Sequence, residues 1–536
     1  MRYRGLTRPT AIASAAILVT LICGPGLGVA SAAKAHAAAG KPVAGGTITV
    51  VGSPKTLGPG TTATQPSSAP WFTLVYGQLF RHNPNNSISP YMATSYVESP
   101  DGLTATIQLK KGITFQDGTP FNAAAVQFNL ERDLKGDASG TCPCEPFINA
   151  ISKVTTKGAY TVVLHLSHRD NLLYDALSES TAGYIISPTA YQKAGPLNYG
   201  LNPVGAGPYR VTAFTPSTSV TFVKYNHFFI KGHPYIQQIN VENVLNDQPL
   251  LAGLGSQTLD WVTFNNGNLS STVSQALTQY SSFTHEVVTG ANLWMEMQFN
   301  AYKPPFNNIQ AREAIAEATD PTPFVGGLAG YDKATCQIQG PSQQLPVGTA
   351  CPAGYLSYNP TAAAALVTQL KAQYGSSYFN FSIEDITNTT VEANIDQALI
   401  KEYQAVGMNP TFNFVSHGQM VADQAVGNFN LFAPNPGGGD DNPLLSVAAL
   451  ISAGSPQNAF GYKSATLDAL LVRAETAKSP AQEDALWKQF LDTDELQYAN
   501  IPLLSGAADE FVNDNLHGVV FAGRDTYFDN AWWSGS

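Results

Sequence analysis

The chain has 536 residues, of which 44% are apolar and only 12% charged. That apolar share can fill a sizeable core and excludes a mostly disordered chain, and the length points to about three domains or two large lobes. Lys and Arg number 28 against 39 Asp and Glu, a net charge of −11, and so acidic a balance excludes the basic face that a nucleic-acid partner requires.

Arg2, Arg4 and Arg8 precede an apolar run from Ala11 to Cys23, closed by Gly24 and Pro25, and Ala30-Ser31-Ala32 is an A-x-A cleavage pattern. Residues 1–32 therefore read as a secretory signal peptide, too short and wrongly flanked for a spanning helix. The arginines are unpaired, which indicates general secretion and not the twin-arginine route. Removal of residues 1–32 takes away three arginines and no acid, so −11 becomes −14. Leu21 and Ile22 stand where lipid attachment at Cys23 wants a small residue, which favours release after Ala32. No later segment is long and apolar enough to span a bilayer, so the mature chain is expected to be exported, periplasmic or at the cell surface, and soluble.

Residues 33–45 are rich in Ala, Gly and Lys and read as a flexible tether. Thr47–Val51 is the first strand, and from there to about residue 290 the pattern is mainly β. Alternation marks Thr104–Leu109, Thr161–Leu166, Val220–Lys224 and Gln238–Val244. Asn122 is a good cap for a helix running through Val126 and Leu130. After residue 300 helix dominates. One is expected over Asn308–Thr319, and one opens at Asn359-Pro360 and ends near Gly375. A third runs over Val391–Val406 with Ile395, Leu399 and Tyr403 on one face, and a fourth opens at the capping box Ser479-Pro480-Ala481-Gln482.

Leu293–Asn300 alternates cleanly. Leu293, Met295, Met297 and Phe299 point one way, and Trp294, Glu296, Gln298 and Asn300 the other. A strand with one buried face and one facing a crevice fits, as does a half-exposed strand. Gly437-Gly438-Gly439-Asp440-Asp441-Asn442-Pro443 lets backbone approach a ligand closely and offers two carboxylates for a ligand ammonium; an exposed acidic turn fits equally.

Signs of catalysis are scarce. No Ser has Gly at both −2 and +2, no Ser past the signal peptide precedes a Lys by three, and His285-Glu286 lacks the second His of a zincin. Gly205-Ala206-Gly207 lacks the third Gly of a dinucleotide fingerprint, and no phosphate loop exists. His165 and His168, three apart on a strand, point to opposite faces and make a poor metal pair. Neither a cofactor nor a metal is expected. Past the signal peptide four cysteines remain, and an even number in an exported chain suggests disulfides. Cys336–Cys351 would close a Gly/Pro-rich loop, whereas Cys142 and Cys144 could pair with each other only with strain. A metal or redox role for the latter two is the alternative.

Several stretches, in order, resemble one family. They are Ser89 to Tyr96, Asp101-Gly102-Leu103-Thr104, Leu109 to Phe121, Pro203-Val204-Gly205-Ala206-Gly207-Pro208-Tyr209, Asp247 through Leu254-Gly255 to Asp260-Trp261, Gln298-Phe299-Asn300, Pro304-Pro305-Phe306, Ala311-Arg312-Glu313-Ala314-Ile315 to Asp320, Gly461-Tyr462 and Leu467-Asp468. Together they are similar to the signature of family 5 extracellular solute-binding proteins, the peptide/nickel-type binding proteins of ABC importers, over essentially the whole mature chain. The resemblance implies a mixed α/β, two-lobed, periplasmic-binding-protein-like clam-shell of the type II, cluster C kind. Lobe I would be 46–290 with 500–536, lobe II 291–499, and the crossings would lie near Leu293–Asn300 and Ile501–Leu504. It further implies a non-enzymatic monomer that closes on a peptide or peptide-like solute and delivers it to a permease with its ATPases. An oligosaccharide, opine or nickel chelate is the alternative ligand, and a secreted hydrolase a more distant one.

In peptide-binding members of that family a carboxylate four residues before a Pro holds the ligand's α-amino group. Here that position is Gly439, with Asp440 and Asp441 displaced. The candidate contacts are therefore Asp440, Asp441, Gly439, Trp294, Glu296 and Gln298.

Overall fold

The computed structural model describes residues 40–536 apart from 60–68, 86, 137–141, 143, 180, 245, 265–269, 326, 328–330, 337–349, 386–389, 438–444, 446–457, 459, 523–524 and 536. Its strands, in chain order, are β1 (Thr47–Val51), β2 (Ala93–Glu98), β3 (Thr104–Leu109), β4 (Ile151–Thr156), β5 (Thr161–Leu166), β6 (Tyr209–Thr215), β7 (Ser219–Lys224), β8 (Gln238–Glu242), β9 (Trp261–Phe264), β10 (Phe283–Phe299), β11 (Tyr331–Ala334), β12 (Asn380–Asp385), β13 (Asn409–Phe414), β14 (Leu431–Gly437) and β15 (Asn500–Asn513), besides several two- and three-residue pairs. The helices that matter below are α1 (Ala123–Lys135), α2 (Leu173–Glu179), α3 (Ile309–Ala318), α4 (Pro360–Tyr374), α5 (Thr390–Ala405), α6 (Ala465–Glu475) and α7 (Pro480–Gln497).

One sheet runs through the molecule in the order β6-β7-β8-β1-β9-β15-β10-β14-β12-β13, with β11 also against β15. β1 is parallel to β8 and β9, and β12 is parallel to β13 and β14; the remaining pairs are antiparallel. A separate antiparallel sheet, β2-β3-β5-β4, packs under α1. The two long strands, β10 and β15, lie at the centre and pair from Phe283 opposite Asn513 to Gln298 opposite Asn500. At one end they share apolar clusters with β1 and β9, and at the other with α3, α4, α5, β12 and β14.

Local chemistry sets the helix bounds. Asn122, Asn359 and Ser479 accept backbone N–H bonds from Ala125, Ala362 and Gln482, satisfying donors the first turn leaves open. Gly375 and Gly407 follow α4 and α5 at φ of 105° and 90°, where a side chain would be strained. Ile395, Leu399 and Tyr403 are buried, as their spacing requires. The sequence reading did not find β12, β13 and β14. Two of their three pairings are parallel, so alternation is not demanded, and Asn and Pro interrupt their apolar runs.

The hairpin α6–α7 follows β14 in the chain, yet its apolar face lies elsewhere. Leu467, Leu470, Leu486, Trp487 and Phe490 belong to the same buried cluster as Leu79, Ile107, Val126 and Leu164. Asn171, just before α2, fastens it. Its N–H donates to Glu475 O (3.0 Å), and its side-chain amide donates to Ala477 O (3.0 Å) and Glu483 Oε2 (3.1 Å).

Both cysteine pairs are bonded. Cys336 joins Cys351 with a Cα–Cα distance of 5.6 Å. Cys142 joins Cys144 at 5.1 Å, a pairing that the sequence leaves open: the backbone brings the two Cα atoms within ordinary disulfide range despite one intervening residue. Among the described residues no helix is long and apolar enough to cross a membrane.

Candidate functional site

The alternating face of β10 is buried on both sides. Met295, Met297 and Phe299 are fully enclosed in an apolar cluster with β12, β14, α3 and α5. Glu296 and Asn300 on the opposite face are 1% exposed and Gln298 6%, so this is not a half-exposed strand. Burial of a polar face demands partners, and these are present. Glu296 accepts from Gln298 Nε2 through Oε1 and from Asn500 Nδ2 through Oε2, both at 2.7 Å. Asn500 lies directly opposite Gln298 in the register, which places all three side chains on one patch of the two crossing strands. Asn300 instead ties the turn before β14, donating to Gly427 O and Phe429 O.

Both amides spend their donors on Glu296. Gln298 Oε1 and Asn500 Oδ1 are left buried without a hydrogen-bond partner among the described residues. On α7, Asp494 and Glu495 are 0% and 2% exposed, and among the described residues none of their four carboxyl oxygens has one either. Burial, then the charge of Glu296, pushes the Asp494 carboxyl well up; Arg312 opposes this. Burial, then Asp494, pushes Glu495 up to about 9. Arg312 is held by Phe306 O (2.7 Å) and Gln497 O (2.9 Å), and it lies 5.6 Å from the centre of the Tyr462 ring. Among the described residues the region is rich in acceptors and poor in donors. Such a surface suits a ligand that brings N–H groups or an ammonium.

β14 pairs with β10 so that Gly437 is opposite Trp294 and Asn435 opposite Glu296. β14 ends at Gly437, and Gly439, Asp440 and Asp441 lie outside the described residues, as does the Trp294 side chain. The sequence reading missed Asn500 and Asp494. Asn500 carries no local signal, because its partner is 204 positions away. Asp494 did carry one: it continues the buried stripe Trp487, Phe490, Leu491 of α7, and a carboxyl on an apolar stripe marks a special environment. His165 and His168 bond separately to Thr155 and Ser167 and form no pair.

The architecture and this patch sit within a longer similarity. A family model described as "Bacterial extracellular solute-binding proteins, family 5 Middle" matches residues 87–457. The chain belongs to that family. Its members are solute-binding proteins and not enzymes, and the mixed α/β clam-shell expected of them is the fold found here. The glutathione-binding protein GsiB of Escherichia coli O6:K15:H31 is 24% identical over 428 residues, covering 78% of this chain and 80% of that one. Among solved structures, the oligopeptide-binding protein AppA of Bacillus subtilis, in complex with a nonapeptide, has a TM-score of 0.79 at 18% identity over 92% of this chain and 100% of its own. The binding protein AgaA from A. tumefacien R10, in complex with agropinic acid, also scores 0.79, at 20% identity over 92% and 99%. Within the family's pattern, Gly205 and Gly207 have a packing role. A Cβ on either would lie 2.3 Å from Val75 O or 2.6 Å from Val75 C, so only glycine lets these backbones cross.

Proposed function

We propose that the mature chain is an exported, monomeric binding protein of an ABC importer that captures peptides or peptide-like solutes between two lobes and delivers them to the permease and its ATPases. Lobe I comprises 46–290 with 500–536, and lobe II 291–499. Closure rather than covalent chemistry is its work, and the solute must touch both lobes, because only differential contact shifts an open–closed balance. The family match over residues 87–457 carries this reading. The acceptor-rich patch of Glu296, Gln298 and Asn500 supports a ligand rich in N–H donors. Trp294 and the loop of Gly439, Asp440 and Asp441 complete the proposed contact set, Asp440 taking the amine in place of Gly439.

A non-peptide solute is the second reading. It is favoured by the glycine at position 439, where the resemblance places the amine-binding carboxylate, and by the agropinic acid held by AgaA. Mass spectrometry of small molecules released by denaturing the natively purified mature chain separates the two. A stoichiometric peptide is expected. A stoichiometric sugar, opine or chelate would keep the transport role and overturn the peptide assignment. Glutathione, bound by the curated relative, is the first compound to titrate.

A further inference from the structure

We propose that the Cys142–Cys144 bond is a redox gate on a buried cation site, in which the two reduced sulfurs and the Asp133 carboxylate hold a thiophilic divalent ion of the zinc class. Asp133, Cys142 and Cys144 are the one set of three such ligand residues among the described residues whose donor atoms all lie within 4.8 Å of one another. All three are enclosed, at 0%, 2% and 1% exposure. Donors around tetrahedral zinc stand about 3.5 Å apart, so the set needs only a small contraction once the sulfurs separate. Thr181 Oγ1 lies 3.4 Å from Cys142 Sγ, so a hydroxyl oxygen is also close to one of the sulfurs.

The charges also balance. Arg132 bonds Asp133 Oδ1 through Nη2 (2.5 Å) and Nε (3.0 Å). Guanidinium, carboxylate, two thiolates and a divalent cation sum to zero, which a buried site requires. Without the ion, two thiolates would leave an uncompensated double negative charge, so the reduced empty site carries thiols. Constraint of the unfolded chain is a weak reason for this disulfide, because that stabilisation grows with loop length and here the bridge encloses one residue. Cys336 and Cys351, fifteen positions apart, form the bridge that suits that role.

The chemistry is thiol–disulfide exchange followed by metallation. A dithiol reductant supplies two electrons and two protons, the S–S bond breaks to two thiols, and the reductant leaves as its own disulfide. The ion then binds both sulfurs and releases the two thiol protons.

The test uses the full mature chain, reduced anaerobically, freed of reductant and titrated with Co2+ as a spectroscopic probe, then with Zn2+. One equivalent of Co2+ is expected to give thiolate-to-metal charge-transfer and tetrahedral d–d bands, which one equivalent of Zn2+ removes; the oxidised chain should give neither. The Cys142→Ser/Cys144→Ser chain should lose the bands while keeping Cys336 and Cys351, and Asp133→Asn should weaken Co2+ binding at least tenfold. No bands in the reduced chain would overturn the site, and full bands in the double serine variant would reassign them to the other pair and overturn it equally. Unchanged affinity in Asp133→Asn would remove the carboxylate from the ligand set and with it the three-ligand proposal. Should Asp133→Asn fail to fold by circular dichroism, Asp133→Glu, which keeps the charge and shifts the oxygen, is expected to alter the d–d bands, and identical bands would count against the site.

Discussion

Glu296 shows how side-chain amides can hold a buried carboxylate. Two side-chain amides point their N–H groups at it, and hydrogen bonds to an ionised acceptor are worth about 1.5–3 kcal/mol each. Glu296→Gln would set an amide against two amides. It is expected to weaken solute binding by about tenfold or more while leaving the fold intact, as read by calorimetric titration of whichever solute co-purifies; unchanged affinity would remove the patch from the binding surface. Asp494 and Glu495 have no such donors among the described residues and answer to pH instead. A carboxyl raised in the folded state holds a proton that the unfolded chain gives up, so folding binds protons between the two values. For Glu495 that window runs from the ordinary 4.5 to about 9. The stability contributed by these groups is complete at the acidic end and is lost as pH rises through it. Denaturant unfolding at a series of pH values is expected to show this decline, and Asp494→Asn to flatten it, with a gain on the order of 2 kcal/mol at the alkaline end.

Among elements, the α6–α7 hairpin depends on contacts with residues hundreds of positions earlier. Trp487 is 1% exposed within that shared cluster, and Asn171 satisfies the end of α6 and the start of α7 together. Asn171→Ala is expected to cost about 1–3 kcal/mol, because it orphans buried carbonyls as well as deleting bonds. Hydrogen exchange should rise first in 465–497, and a uniform rise would show that the hairpin does not open on its own. Gly207→Ala tests a crossing of another kind. The new methyl would meet the backbone of Val75, which cannot rotate away, so about 3 kcal/mol or more should be lost, read from the denaturation midpoint.

For the whole molecule the central fact is that β10 and β15 run side by side through one continuous sheet with distinct apolar clusters at their two ends. Strands that pass between packed bodies are where bending is cheapest, since a small change in each φ and ψ accumulates along them without breaking a core. If the lobes close as proposed, small-angle scattering should show a smaller radius of gyration when the solute is added, and an unchanged curve would argue for a preformed closed state.

By itself the sequence determined the family, the first strand, the capped helices and the buried alternation of Met295, Met297 and Phe299. These rest on information carried within about twenty residues: caps, glycines after helices, a period of two or 3.6, and motifs in a set order. Tertiary structure alone decided that the polar face of β10 is buried, that Asn500 completes it, that α6–α7 shares a core with β2–β5, and that Cys142 bonds Cys144. Each of those outcomes depends on which surfaces meet. Pattern says that a face is polar, but whether water, another side chain or a solute satisfies it is settled only when distant segments of chain are brought within hydrogen-bonding distance.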